Sequence, residues 1–195
     1  MALRIEDYAL IGDCKSAALV GVDGSIDWLA FPRFDSAACF AALLGSPDNG
    51  RWIIAPTEAP VAVRRRYRPG TLILETEFEN RSGKATVVDF MLPADGRELI
   101  RIVIGQAGRV DLSTEFIARF EYGETVPWVT RLDDGGISAV AGPARLVLRS
   151  DVKLRGEDLR TVAGFKVKAG KSVAFALSYG ASFEDPPKAI DPFLP

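Results

Sequence analysis

The feature that most constrains this chain is a period-two alternation through its middle. Leu72, Leu74, Thr76 and Phe78 alternate with Glu75, Glu77 and Glu79. Strand side chains point to opposite faces in turn, so this pattern marks a half-buried strand and not a helix. Turn-forming groups recur along the chain: Asn80-Arg81-Ser82-Gly83, Pro93-Ala94-Asp95-Gly96, Gly105 to Gly108, Asp133-Asp134-Gly135-Gly136 and Lys168-Ala169-Gly170-Lys171. Between the first two, Thr86, Val88, Phe90 and Leu92 read as an inner face with Asp89 on the other side. Further strands are expected over Glu98 to Ile104, Val110 to Phe120, Pro127 to Leu132, Ile137 to Ala141 and Ala144 to Ser150. Asp151 to Leu154, Thr161 to Val167 and Ser172 to Tyr179 complete the set. Regularly punctuated short strands predict an all-β antiparallel β-sandwich of roughly a dozen strands. One short helix is expected from Ser36 to Leu44, with Asp35 or Ser36 as N-cap and Gly45 as its end.

A second feature supplies candidate chemistry. Asp23-Gly24 lies between the apolar runs Ala17 to Val22 and Ile26 to Phe31. Such a pair predicts a type I′ hairpin, in which both central residues take positive φ. The hairpin would present Asp23, Ser25, Asp27 and Trp28 near one end of a sheet, and Arg33 and Asp35 follow just after Pro32. Sugars bind by stacking a ring face on an aromatic while polar side chains satisfy the hydroxyls, and these six residues offer both. The purely structural reading makes Trp28 core, Asp23 a turn residue and Asp27 the ion-pair partner of Arg33. Trp52 and Trp128 have no polar cluster beside them and read as packing residues.

Composition removes several function classes. With 24 basic and 26 acidic residues in 195, the chain has no general field to attract nucleic acid or an anionic membrane. Arg64, Arg65, Arg66 and Arg68 read as a solvated strand edge facing Glu75, Glu77 and Glu79. The sequence has no histidine and only Cys14 and Cys39, which excludes a His-dependent triad and a self-contained zinc site. No cofactor or metal is expected, and Asp133-Asp134 reads as a turn and not as a calcium loop. Met1 to Arg4 lacks a signal-peptide core and no apolar run reaches membrane-spanning length, so the expected location is cytoplasmic, with both thiols reduced and largely buried. Residues 183–195 carry four of the twelve prolines and no strand pattern, which reads as a linker extending from a domain over 1–182.

Several ordered blocks are familiar together: Ile5-Glu6-Asp7-Tyr8, Leu10-Ile11-Gly12-Asp13-Cys14, Asp23-Gly24-Ser25-Ile26-Asp27-Trp28 and Pro32-Arg33-Phe34-Asp35-Ser36. Phe40 to Leu44, Arg66-Tyr67-Arg68-Pro69-Gly70-Thr71, Asp89-Phe90-Met91, Val126-Pro127-Trp128 and Leu154-Arg155-Gly156-Glu157 continue the series. The set resembles the N-terminal domain of bacterial glycoside hydrolase family 15 proteins, the glucoamylase and trehalase-like group. The resemblance implies a supersandwich-like β domain preceding an (α/α)₆ barrel. It also places the two glutamates of an inverting mechanism in that barrel, outside this chain. No catalytic residue is therefore carried over. The implied role is a non-catalytic domain that packs on a barrel in cis, with an apolar surface that in isolation could pair with another copy. The alternative is a stand-alone carbohydrate-binding module for trehalose or maltooligosaccharides, with the hairpin residues as its sugar-facing or interdomain surface.

Overall fold

The computed structural model describes residues 3–93 and 97–193, so most of the turn expected at 93–96 lies outside the described residues. Among the described residues there are fifteen strands. They are β1 (Tyr8–Gly12), β2 (Ala17–Gly21), β3 (Ser25–Ala30), β4 (Ala38–Phe40), β5 (Arg51–Pro56), β6 (Ala62–Tyr67), β7 (Leu74–Glu79) and β8 (Gly83–Met91). Then come β9 (Glu98–Ile117), β10 (Trp128–Arg131), β11 (Ile137–Ala141), β12 (Ala144–Ser150), β13 (Arg155–Glu157), β14 (Arg160–Lys168) and β15 (Ser172–Ala181). All pairings are antiparallel, as the alternating pattern requires.

The strands form two sheets that share β9. One sheet runs β1-β2-β3-β5-β9-β14-β13, with β4 also on β3. The other runs β6-β7-β8-β9-β15-β12-β11-β10. The first half of β9 pairs with β8 and β15, and its second half pairs with β5 and β14. The expected break at Gly105 to Gly108 is therefore a bend inside one strand. Gly108 has φ +59°, and the register with β8 shifts at Lys84/Ala85, so a bulge absorbs the change of direction.

The core lies between the sheets. Ile26, Leu29, Trp52 and Ile54 come from one side, and Phe78, Val87, Leu99, Phe175 and Leu177 from the other. In β7 the alternation is realised as expected, with Leu74, Thr76 and Phe78 buried. In β8 the face assignment is reversed. Ala85, Val87 and Met91 enter the main core, whereas Val88, Phe90 and Leu92 belong to a smaller cluster on the outer face. That outer face is itself apolar, built on Ile100, Ile102, Ala174 and Ala176, with Ile190 of the C-terminal segment packed on it. A strand covered on both faces loses the polar phase that would identify its inner side.

Asp89 accordingly points inward, fully buried with Arg101. Arg101 donates from Nε to Asp89 Oδ1 at 2.8 Å, and from its Nη atoms to the carbonyls of Trp52 at 2.9 Å and Gly24 at 2.7 Å. Its guanidinium also lies 5.1 Å from the centroid of the Trp52 ring.

The helix expected from Ser36 to Leu44 is not formed. Ala38–Phe40 is β4, and only a 3₁₀ turn follows at Ala42–Leu44. The alternative partner won: Phe40 pairs with Leu29 and stacks edge-on with Phe116, 5.6 Å between centroids. Asp151 to Leu154 is likewise an irregular crossing and not a strand. Cys39 is buried and its thiol is pushed up to about 12 by burial, whereas Cys14 is exposed, contrary to expectation. Among the described residues, no helix is long and apolar enough to cross a membrane.

Candidate functional site

The central hairpin forms, but with a different turn. Val22 to Gly24 connect β2 and β3, and the Gly24 N–H donates to the Gly21 carbonyl at 3.0 Å. Gly24 takes φ +86° and Asp23 does not enter the left-handed region, so this is not a type I′ turn. Glycine is required at 24 because a Cβ there would collide with the Ile54 carbonyl oxygen.

The six candidate residues are held in four separate pairings. Asp23 Oδ1 accepts from the Ser25 N–H at 3.0 Å and the Ser25 hydroxyl at 2.7 Å. Asp27, buried, accepts the Tyr8 hydroxyl on Oδ2 at 2.7 Å, while its Oδ1 has no hydrogen-bond partner. Burial and this carboxylate together raise the Tyr8 hydroxyl well above the ordinary tyrosine value. Arg33 pairs instead with Asp35, through two hydrogen bonds of 2.8 and 2.7 Å in the open. The expected Asp27–Arg33 pair is not formed: Asp27 is buried beside Tyr8, and Arg33 is engaged by Asp35 at the surface. Arg33 holds Asp35 below the usual carboxylate range. Trp28 is half-buried against Tyr122, 6.1 Å between centroids, and is not free as a platform. Phe34 and Tyr122 are exposed nearby in sequence and in contact, respectively.

The open indole is that of Trp128, 77% exposed, which corrects its reading as a packing residue. It lines a cleft of about 450 Å³ whose other apolar walls are Phe116, Val126, Val129, Ile137 and Leu159. The sequence did carry a signal for this. Val126, Trp128 and Val129 are apolar without a polar alternate, and Pro127 marks an edge position that has no N–H to donate. One wall is the β13–β14 turn, where Asp158 and Leu159 take φ +48° and +60°. The doubly left-handed turn expected at Asp23-Gly24 is thus found here, on two non-glycine residues.

Several charged groups around this cleft are already engaged. Arg160 donates to Glu115 at 2.9 Å and Asp48 at 3.4 Å, and Glu115 holds its guanidinium above the ordinary value. Arg119 donates to the carbonyls of Ala118 at 2.7 Å and Leu159 at 3.4 Å, with burial lowering its basicity. Glu157 accepts from Arg155 at 3.1 Å. At the β6 edge of the other sheet, three of the four arginines face the acids as expected: Arg64 pairs with Glu77 and Glu79, and Arg66 and Arg68 with Glu75, whereas Arg65 donates to the Val20 carbonyl at 3.2 Å. Among the described residues, no three His, Cys, Asp or Glu side chains gather where they could hold a metal ion.

Comparison with known proteins gives one consistent family. Residues 1–187 match the trehalase-like N-terminal family. Trehalase 1 of Sulfolobus acidocaldarius is 39% identical over 134 residues, which is 68% of this chain and 23% of that protein. The trehalase of Thermoplasma volcanium is 28% identical over 91% of this chain and 29% of its own length. For the Mycobacterium tuberculosis trehalase the figures are 28% identity, 96% of this chain and 31% of the relative. The chain thus spans less than a third of each of these relatives.

Proposed function

Because the chain belongs to the trehalase-like N-terminal family, we propose that it is the non-catalytic β-sandwich domain of an α-glucoside hydrolase of the family 15 type, acting in carbohydrate metabolism. It folds with a catalytic (α/α)₆ barrel in cis and supports it. The observation that carries this reading is the share of the relatives covered, 23% to 31%, by a match to an N-terminal family. The chemistry is consistent with it. Hydrolysis of a glycoside by inversion needs two carboxyl groups facing each other across room for a water. The carboxylates of the hairpin each have a local partner instead, in Ser25, Tyr8 and Arg33. The hairpin region, with Phe34 and Tyr122 exposed, is the surface we assign to the barrel. The isolated chain should release no glucose from trehalose or maltotriose. Release that disappears when Asp23 or Asp27 is replaced by Asn would overturn the non-catalytic role.

A second reading, a carbohydrate-binding module, is favoured by one observation, the open indole of Trp128 in its cleft. It ranks below the first because the cleft's arginines and Glu157 are already hydrogen-bonded within the protein. An NMR titration with trehalose and then maltotriose decides between them. Saturable shifts at Trp128 that vanish in Trp128→Ala would establish the module, and the absence of shifts would leave the supporting domain.

A further inference from the structure

We infer that the open edge of β10 is a self-pairing site, on which a second copy of this chain adds its own β10 antiparallel. This goes beyond the role proposed above and does not depend on it. A strand at a sheet edge leaves a row of N–H and C=O groups unpaired, and proteins normally defend such edges with charge, brevity or cover. The other edges here are defended in those ways. β6 carries Arg64 and Arg66, held by acids of β7, and Arg65, which donates to the Val20 carbonyl at 3.2 Å. β13 is three residues long and carries the Arg155–Glu157 pair. On β1, the Leu10 carbonyl accepts the Tyr67 hydroxyl at 2.8 Å. β10 is the least defended: its four residues are all exposed, its one charge, Arg131, donates back to the Gly135 and Leu154 carbonyls, and among the described residues it pairs only with β11.

The phase of the β10–β11 ladder says which groups are open. The Leu132 N–H donates inward to the Gly136 carbonyl at 2.8 Å, in register with the Thr130–Ser138 and Trp128–Val140 pairs. By the alternation of an antiparallel ladder, the N–H and C=O groups of Val129 and Arg131 face outward. Two copies related by a two-fold axis at Thr130 would set Val129 against the partner's Arg131 on each side, exchanging main-chain hydrogen bonds. Such an edge is self-complementary, and like charges are not placed opposite each other. The same approach covers apolar surface that is otherwise wet: Trp128 at 77% exposure, Leu159 at 74%, and Val126 and Val129 at 51% each. Two indoles of roughly 150–250 Å² each, with these neighbours, bring the interface toward the low end of stable ones, about 1,200 Å² in total. The pairing is therefore a weak, concentration-dependent dimer.

The test is sedimentation velocity of the full chain from micromolar to millimolar concentration, repeated on Val129→Lys and Trp128→Ser. Wild-type protein should pass from monomer to dimer. Trp128→Ser should raise the dissociation constant by about thirtyfold or more, as loss of a central aromatic anchor does. Val129→Lys should abolish dimerisation, while far-UV circular dichroism and melting stay as in wild type. Monomer throughout, or a dimer indifferent to both substitutions, overturns the proposal. A readout independent of variants is amide exchange of the wild type at two concentrations. Val129 and Arg131 should gain protection at the higher one, and unchanged exchange there would also overturn it.

Discussion

Arg101 concentrates more polar bonding in the core than any single substitution could replace. It is fully buried, neutralises Asp89, bonds two carbonyls and covers the face of Trp52. Removing one member of such a pair strands a buried charge, which costs roughly 3–5 kcal/mol. Urea denaturation should show that loss for Arg101→Met and for Asp89→Leu singly. The double variant should lose less than their sum, because no uncompensated charge remains. Additive losses would mean that the two side chains are not coupled. Tyr8, half-buried, and the buried Asp27 make a second pair, and here the effect depends on pH. The Tyr8 hydroxyl titrates above its ordinary value when folded, first because it is buried and then because it donates to Asp27. Its contribution is therefore fully present below the ordinary tyrosine value and is lost as pH rises toward the folded one. Tyr8→Phe should cost about 1–3 kcal/mol at neutral pH by leaving Asp27 without its donor. It should also flatten the alkaline fall in stability. A wild-type slope in the variant would remove Tyr8 from that account.

At the scale of elements, Glu115 joins three strands. From β9 it accepts from Arg51 of β5 at 2.8 Å and from Arg160 of β14 at 2.9 Å. Burial alone would raise Glu115, but the two arginines outweigh it and hold the group below the usual glutamate range. A depressed carboxylate stabilises above its ordinary value, and that stability is lost as pH falls through the folded one. Glu115→Gln should then cost roughly 1 kcal/mol near neutrality and show a shallower acid limb in thermal melts. An unchanged acid limb would place the pH dependence elsewhere. Glu115 also illustrates what could be read from the sequence. The strands, the β6 arginine edge and most hairpins followed from alternation and turn residues, because one face of each was wet. β8 was read in the wrong phase because both its faces are covered, one of them by residues from the C-terminal segment. The spacing of Phe40 fits a helix, and only the distant Leu29 and Phe116 select the strand. For the candidate site, Asp23 as a turn residue was legible. The edge at Trp128 was marked by Pro127 and the unalternated apolar run around it, whereas the partners of Asp27 and Arg33 depend on tertiary neighbours that no local pattern encodes.

For the whole molecule, the decisive element is β9, since its 20 residues belong to both sheets. Sheets that only touched through side chains could separate in stages, but a shared strand cannot leave one ladder without disturbing the other. Gly105 sits at the junction. Its N–H donates to the Lys171 carbonyl at 2.9 Å and its carbonyl accepts from Gly170 at 3.0 Å. A Cβ added there would collide with the Lys168 main chain, which has no flexible end to move aside. Gly105→Ala should therefore destabilise by about 1–3 kcal/mol or more, as overpacking does. Because the strain falls on the shared strand, both sheets should respond together. Far-UV circular dichroism reports the ladders, and near-UV dichroism reports the packing around the buried Trp52 between the sheets. In wild type the two should melt at one temperature, and in Gly105→Ala they should shift down by the same amount. If the near-UV transition came first in the variant, the sheets would be separable units and β9 a linker between them. Coincident shifts would make the chain one cooperative body, which is what a domain needs in order to present a fixed surface to a partner.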